Sequence, residues 1–102
     1  MTIDIGTTGI WCGFWDAHPT SEVQEAVAEL EALGYDAVWV PETIGRDPFV
    51  AAGTMLAATT TLKVATGIAN IYARDPLTMV ACQRTLAEAY DDRFLLGLGV
   101  SH

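Results

Sequence analysis

Short apolar segments alternate along the chain with amphipathic segments of helical period. The apolar segments predict strands over residues 8–15, 37–40, 62–68 and 94–99. A short continuous apolar run is typical of a parallel strand that is covered on both faces. Strands that alternate with helical patterns indicate βαβ units, so we predict the order β-α-β-α-β-α-β with right-handed crossovers.

Each of the three intervening helices has its own start signal. The first is predicted to begin at Ser21, which forms a capping box with Gln24, and to stop at Gly34. The other two begin at Asp47-Pro48 and at Asp75-Pro76. In both pairs the acid is a good N-cap, and the proline suits the first helical position.

The predicted fold class is α/β, with four parallel strands and three intervening helices in a single domain over residues 1–102. Four such strands without a fifth would leave apolar edges on the first and fourth strands, which natural sheets normally cover, charge or pair. A closed (β/α)8 barrel needs about 250 residues. We therefore expect the chain to be an incomplete domain.

Charge and cysteine content narrow the candidate partners. The chain has 13 acidic and 5 basic residues, for a formal charge of -8, which disfavours binding to nucleic acid or to anionic membranes. Cys12 and Cys82 lie far apart in no zinc-binding spacing, so we expect reduced thiols and no metal site. Neither a signal segment nor a membrane span is evident. We expect a cytoplasmic protein that binds a small molecule.

Four segments at the predicted carboxyl ends of strands carry a family resemblance. They are GIWCGFWDAHP, ALGYDAVWVPE, LKVATGIANIYARDP and RFLLGLGVSH. In this order they resemble the luciferase-like monooxygenase family, in particular its branch that depends on the deazaflavin coenzyme F420. The resemblance covers residues 9–102. It implies the N-terminal part of a TIM (β/α)8 barrel that binds its cofactor at the carboxyl ends of the strands.

The resemblance assigns cofactor contacts to the third and fourth strands. In the deazaflavin enzymes the third strand bulges and carries a non-proline cis peptide that supports the ring, and the matching pair here is Gly67-Ile68. The expected cofactor-binding residues are Gly67, Ile68, Ala69, Asn70, Gly99, Val100 and Ser101. Taken alone, Gly67 could equally relieve crowding at a strand end, and Gly-x-Gly patterns occur in many strands without ligands.

Two residues are the candidates for catalysis. In relatives that oxidise sugar phosphates or alcohols, a glutamate acting as an acid follows the fourth strand, and the matching residue here is His102. A histidine titrates near neutral pH and could transfer this proton, or it could be an ordinary loop residue. Glu42 stands where relatives contact the cofactor or the substrate, and its alternative is an ion pair with Arg46 or Arg74. Arg74 could instead reach an anionic cofactor tail.

The loop after the first strand is expected to face the same pocket. Its candidate substrate-binding residues are Trp15, Asp16 and His18. Asp16 could equally cap the turn that follows it. Trp11, Trp15 and Trp39 offer flat surfaces to a tricyclic ring, and core packing is the alternative for at least Trp39.

The sequence therefore predicts an oxidoreductase in which a hydride passes between coenzyme F420 and an organic substrate, while the protein supplies placement and an acid or base. An alternative in the same family is an FMN-dependent monooxygenase. A different class is a non-catalytic α/β module that pairs through its open edges, for example as a homodimer along the first and fourth strands. We expect the isolated chain to be inactive, because the rest of a barrel would carry further contacts.

Overall fold

The computed structural model describes residues 3–100, except for the side chain of Phe14. The strands are β1 (Gly9–Trp11), β2 (Ala37–Val40), β3 (Lys63–Thr66), β4 (Ala69–Asn70), β5 (Phe94–Leu95) and β6 (Leu98–Gly99), and the α-helices are α1 (Thr20–Ala32), α2 (Pro48–Ala57) and α3 (Pro76–Ala89). A short 3-10 helix, Phe14–Ala17, lies between β1 and α1. None of the helices in the described range is long and apolar enough to traverse a bilayer.

The strands form two parallel arrays. A four-stranded sheet has the order β1-β2-β3-β5, and all three of its pairings are parallel. β4 and β6 form a second parallel pair, which lies beyond β3 and β5 along the chain. The predicted α/β class with a parallel sheet is confirmed.

The core lies between the sheet and its helices. Val38, Val64 and Phe94 align across β2, β3 and β5, and each is 0% exposed. They belong to one apolar cluster with Val27 of α1 and Leu56 of α2. The interdigitation of these side chains fixes the helices on this face of the sheet.

The opposite face of the sheet carries two indole rings. Trp11, Trp39, Ala65 and Leu95 align in register across the four strands, and the alternation along a strand directs them away from the helix-covered face. Trp11 is 61% exposed, and Trp39 is half-buried. The tryptophans therefore line an accessible surface rather than the helix-covered core.

The start signals of the second and third helices are confirmed. The Asp47 carboxylate accepts from the backbone N–H of Val50 at 2.8 Å, and the Asp75 carboxylate accepts from that of Thr78 at 2.9 Å. Gly34 has a φ of +97° just after α1, a conformation that glycine adopts without strain.

The predicted capping box at Ser21 is wrong. The N-cap of α1 is Pro19, with no side-chain cap hydrogen bond, and the Pro19 carbonyl accepts from the backbone N–H groups of Glu22 and Val23. Ser21 therefore lies inside the first turn. The Gln24 side chain donates to the carbonyl of Thr54 at 2.9 Å, so it joins α1 to α2 instead of closing a cap.

The first and third strands are also shorter than predicted, and β3 ends at Thr66. β1 ends at Trp11, and the chain then turns into the 3-10 helix. The fourth predicted strand is divided into β5 and β6. Residues 96 and 97 separate them. β3 and β4 together are the third strand, and β5 and β6 together are the fourth strand. These two strands lose their common register between the β3–β5 and the β4–β6 pairings.

Glu31 joins the end of α1 to the loop before β3. Its carboxylate accepts from the backbone N–H groups of Thr60, Thr61 and Leu62 at 3.0, 2.6 and 2.7 Å. Burial raises the pKa of this carboxyl, but the backbone hydrogen bonds outweigh burial and lower the pKa from 4.5 to about 2. The loop thus holds an ionised carboxylate.

We expect Glu31→Gln to lower the free energy of unfolding at pH 7 by about 1 kcal/mol, because a neutral amide accepts these bonds less strongly. The folded-state pKa lies below the ordinary value, so the stabilisation by Glu31 is present above pH 4.5 and is lost as the pH falls towards about 2. Urea denaturation of both proteins at several pH values measures this. A difference that does not shrink on acidification would contradict the assignment.

Candidate functional site

The third strand changes course at its carboxyl end. From Ala65 to Ala69 it advances by four residues, whereas its partner advances by three, from Leu95 to Leu98. The additional residue makes a β-bulge, and the peptide bond Gly67-Ile68 within it is cis. The bulge and the cis bond are the features that the family resemblance implies at this position, and both are confirmed.

The first two strands hold one side of the bulge. The backbone N–H of Gly67 donates to the Val40 carbonyl at 2.8 Å, and that of Glu42 donates to the Ile68 carbonyl at 3.1 Å. The indole Nε1 of Trp11 donates to the carbonyl of Gly67 at 2.7 Å. Both backbone polar groups of Gly67 are therefore satisfied from neighbouring strands.

The fourth strand holds the other side of the bulge. The backbone N–H of Ala69 donates to the Gly97 carbonyl at 2.8 Å, and that of Ile71 donates to the Gly99 carbonyl at 3.0 Å. The Thr66 hydroxyl donates to the Gly97 carbonyl and accepts from the Gly97 N–H, each at 2.8 Å. This side chain supplies hydrogen bonds where the β3–β5 ladder stops.

An apolar surface surrounds the bulge. A Cβ placed on Gly67 would lie 3.0 Å from Cδ1 of Trp39 and 3.3 Å from Cδ1 of Trp11, and a Cβ on Gly99 would lie 2.8 Å from Cδ1 of Ile68. The two indole rings thus border Gly67, and Ile68 packs directly on Gly99. Larger residues at either glycine would displace these side chains.

Glu42, at the carboxyl end of β2, is paired with Arg74. The Arg74 guanidinium donates to both carboxylate oxygens of Glu42, at 2.9 and 2.8 Å. The two side chains are 12% and 18% exposed for Arg74 and Glu42 respectively. The hydrogen bond from Arg74 outweighs burial and keeps the pKa of Glu42 below 4.5. Of the roles predicted for Glu42, the ion pair with Arg74 is the one observed, and a carboxylate held in this state does not donate a proton at neutral pH.

A second carboxylate, that of Asp47, also binds Arg74. Nη2 of Arg74 also donates to Oδ1 of Asp47 at 2.6 Å, and the guanidinium carbon lies 4.9 Å from the centre of the Phe49 ring. The hydrogen bond to Glu42 and, after the opposing effect of burial, the hydrogen bond to Asp47 raise the pKa of Arg74. Arg74 is thus bound to the protein's own carboxylates rather than turned towards an anionic cofactor tail.

The candidate substrate residues lie in a separate region. Trp15 and His18 line a cavity of about 250 Å³ between the loop after β1 and the start of α1, together with Cys12, Glu22, Val23 and Ala26. Trp15 is 8% exposed and belongs to the core cluster. Asp16 points to Gly45, where a Cβ would lie 3.3 Å from its Oδ2. The cavity shares no lining residue with the bulge.

The cofactor-binding candidates are partly brought together. Ala69 and Asn70 pair in register with Leu98 and Gly99, so the bulge and the fourth strand meet at one edge. Val100 follows directly and is 65% exposed. The predictions for Ser101 and His102 lie outside the described residues.

Three contacts of the site were not anticipated from the sequence. They are Trp11 with Gly67, Asp47 with Arg74 and Thr66 with Gly97, at separations of 56, 27 and 31 residues. Each links positions whose own neighbours give no sign of the partner. Tertiary packing at the carboxyl end of the sheet brings them together.

The chain is similar to proteins of one family. Residues 6–102 match the family model described as luciferase-like monooxygenase. A protein of Mycobacterium tuberculosis named as a coenzyme F420-dependent oxidoreductase is 31% identical over 93 residues, which is 91% of this chain and 27% of that protein. The chain therefore spans about a quarter of the length of this relative.

Solved structures share the fold at lower identity. The coenzyme F420-dependent tetrahydromethanopterin reductase of Methanopyrus kandleri has a TM-score of 0.84 at 20% identity, over 93% of this chain and 27% of that chain. The oxygenating constituent of 3,6-diketocamphane monooxygenase of Pseudomonas putida, solved in complex with FMN, has a TM-score of 0.80 at 14% identity, over 93% of this chain and 29% of that chain. The described sheet corresponds to part of their TIM barrels. Since the family model matches nearly the whole sequence, the chain belongs to the luciferase-like monooxygenase family.

Proposed function

We propose that this chain forms part of an oxidoreductase and provides its binding surface for the ring of coenzyme F420. The observation that carries the proposal is the apolar surface at the carboxyl end of the sheet, where Trp11, Trp39 and Ile68 surround the backbone of the bulge. The relative from M. tuberculosis, named for the same cofactor, supports this choice. Binding at strand carboxyl ends is also the rule in TIM barrels.

The residues present fit a planar, largely apolar ring. The indoles of Trp11 and Trp39 provide flat apolar contacts and Ile68 an aliphatic one, and glycine at 67 and 99 leaves the room that these side chains occupy. We assign cofactor contacts to Gly67, Ile68, Ala69, Asn70, Gly99, Val100 and Ser101. When bound, the deazaflavin supplies the hydride chemistry.

The remaining roles belong to the substrate side. We assign proton transfer to His102, and substrate contacts to Trp15, Asp16 and His18, which follow β1 at the carboxyl end of the sheet. Glu42 receives a different role from the catalytic one first predicted, because its carboxylate already accepts from Arg74 and from the backbone of Asn70. Its role is to fix the position of the Asn70 backbone.

FMN is the alternative cofactor, because a relative with the same fold was solved in complex with it. Titration of the chain with coenzyme F420 and with FMN, followed by the quenching of tryptophan fluorescence, separates the two. We expect saturable quenching with tighter binding of F420. Tighter binding of FMN would assign the site to the flavin instead, and the absence of quenching by either would contradict the proposal.

A pair of glycine variants tests the location. Gly99→Ala should weaken binding roughly tenfold, because the new methyl group displaces Ile68, whose Cδ1 would lie 2.8 Å away. Gly53→Ala in α2 is the matched control, since its Cβ would meet only a Leu86 methyl group at 3.4 Å. Equal affinities for the two variants would place the ring elsewhere.

A further inference from the structure

Glu42 contacts the bulge at two points. Its backbone N–H donates to the Ile68 carbonyl at 3.1 Å, and its Oε1 accepts from the backbone N–H of Asn70 at 2.7 Å. Asn70 is in turn paired in register with Gly99. Glu42 therefore ties residues 68–70 to the end of β2, and its side chain does so through the Asn70 amide.

The carboxylate of Glu42 is itself oriented by Arg74. Two parallel N–H···O bonds join the planar groups, an arrangement that fixes the plane of the carboxylate as well as its distance. Arg74 is held in turn by Asp47, whose other oxygen, Oδ2, caps α2 through Val50. The chain of contacts runs from the start of α2 to the backbone of the bulge.

We propose that Arg74 is a positioning residue of the cofactor site, which acts through Glu42 to hold the Asn70 amide and thereby the bulge against the fourth strand. This inference rests on the proposed function. The role is indirect, because the terminal nitrogens of Arg74 donate to Glu42 and Asp47 and its guanidinium lies over the Phe49 ring.

The chemistry of the contact requires arginine. Lysine carries the same charge, but its ammonium cannot make the parallel pair of bonds. Methionine retains much of the length and the apolar packing, but leaves two carboxylates without their cation. Removing one partner from a mostly buried ion pair leaves an uncompensated charge, so Glu42 would turn towards water and release Asn70.

Hydrogen exchange tests this step without any cofactor. In Arg74→Met we expect the Asn70 amide to exchange at least about tenfold faster than in the wild type, with the Ile71 amide following because it bonds to Gly99. Amides of β2, such as that of Val38, should change far less. Arg74→Lys should restore the Asn70 amide only in part. Arg84→Met, which removes an exposed arginine of α3, is the charge-matched control.

Cofactor titration supplies the second readout. We expect Arg74→Met to weaken F420 binding roughly tenfold. Glu31→Gln, which loosens a loop at the opposite end of the sheet, serves as the control for a general loss of stability and should leave the affinity unchanged. Equal exchange of Asn70 in Arg74→Met and the wild type, or full rescue by lysine, would overturn the positioning role. If the wild type binds no cofactor, the proposed function fails, while the exchange data still decide the role of Arg74.

Discussion

Gly97→Ala should lower the free energy of unfolding by about 3 kcal/mol or more, a large part of the roughly 5–15 kcal/mol that stabilises a domain of this size. A Cβ at this position would overlap the carbonyl oxygen of Thr66. The Thr66 carbonyl cannot move aside as a flexible side chain can, because it belongs to β3, which is paired with β2 on one side and with β5 on the other. The fourth strand must therefore move away from β3.

That movement would also break a reciprocal contact. The Thr66 hydroxyl bonds to both the N–H and the carbonyl of Gly97, and Thr66 is only 1% exposed. Polar groups left unpaired in such surroundings cost about 1–3 kcal/mol each. Thr66→Val removes the hydroxyl without a steric clash and should destabilise the chain by about 2 kcal/mol, which isolates the hydrogen-bonding part of the effect.

Urea denaturation monitored by circular dichroism measures these differences. Gly53→Ala is the control for a glycine-to-alanine change in general: it lies within α2, and alanine there should be neutral or stabilise by up to about 1 kcal/mol. A midpoint for Gly97→Ala that equals the midpoint of the wild type would show that the fourth strand can shift freely. The close contact with Thr66 would then have no energetic weight.

The elements of this fold that the sequence predicts correctly depend on signals a few residues long. Asp47 and Asp75 cap their helices through the backbone N–H three residues further on, and Gly34 ends α1 with its own backbone. The capping box at Ser21 follows the same local pattern but fails. There the partner of Gln24 lies on another helix, at Thr54, which a local pattern does not encode.

The features of the site also divide into those that the sequence predicts and those that depend on distant partners. The bulge at Gly67-Ile68 could be predicted only through the family resemblance, since neither propensity nor periodicity marks a register change. For Glu42 the sequence leaves open a contact with cofactor or substrate and an ion pair with either Arg46 or Arg74, because it does not say which cations meet which acids. Asp47 was predicted as a helix cap alone, and its second oxygen binds Arg74. These contacts arise from tertiary packing.

Arg93 is a buried cation whose contacts also arise from tertiary packing. Its side chain makes five hydrogen bonds, to the carbonyls of Leu56, Thr59, Leu62 and Tyr90 and to the Thr59 hydroxyl, and the residue is 9% exposed. All of these partners are neutral oxygens. Most of them lie where α2 and α3 end, and the carboxyl end of a helix favours a cation because its last carbonyls are otherwise unpaired.

Arg93→Met should therefore lower the free energy of unfolding by about 3 kcal/mol, because the buried carbonyls lose their shared donor. Arg84→Met, on the exposed side of α3, should change the free energy of unfolding by less than about 0.5 kcal/mol.

Arg93 directly precedes β5, at the amino end of the sheet, so its loss should leave the local exchange of the Asn70 amide unchanged below the unfolding transition. This contrasts with Arg74→Met, which should speed that exchange locally. Denaturation and exchange on the same samples make the comparison, and a local acceleration at Asn70 in Arg93→Met would show that the two ends of the sheet are coupled rather than independent.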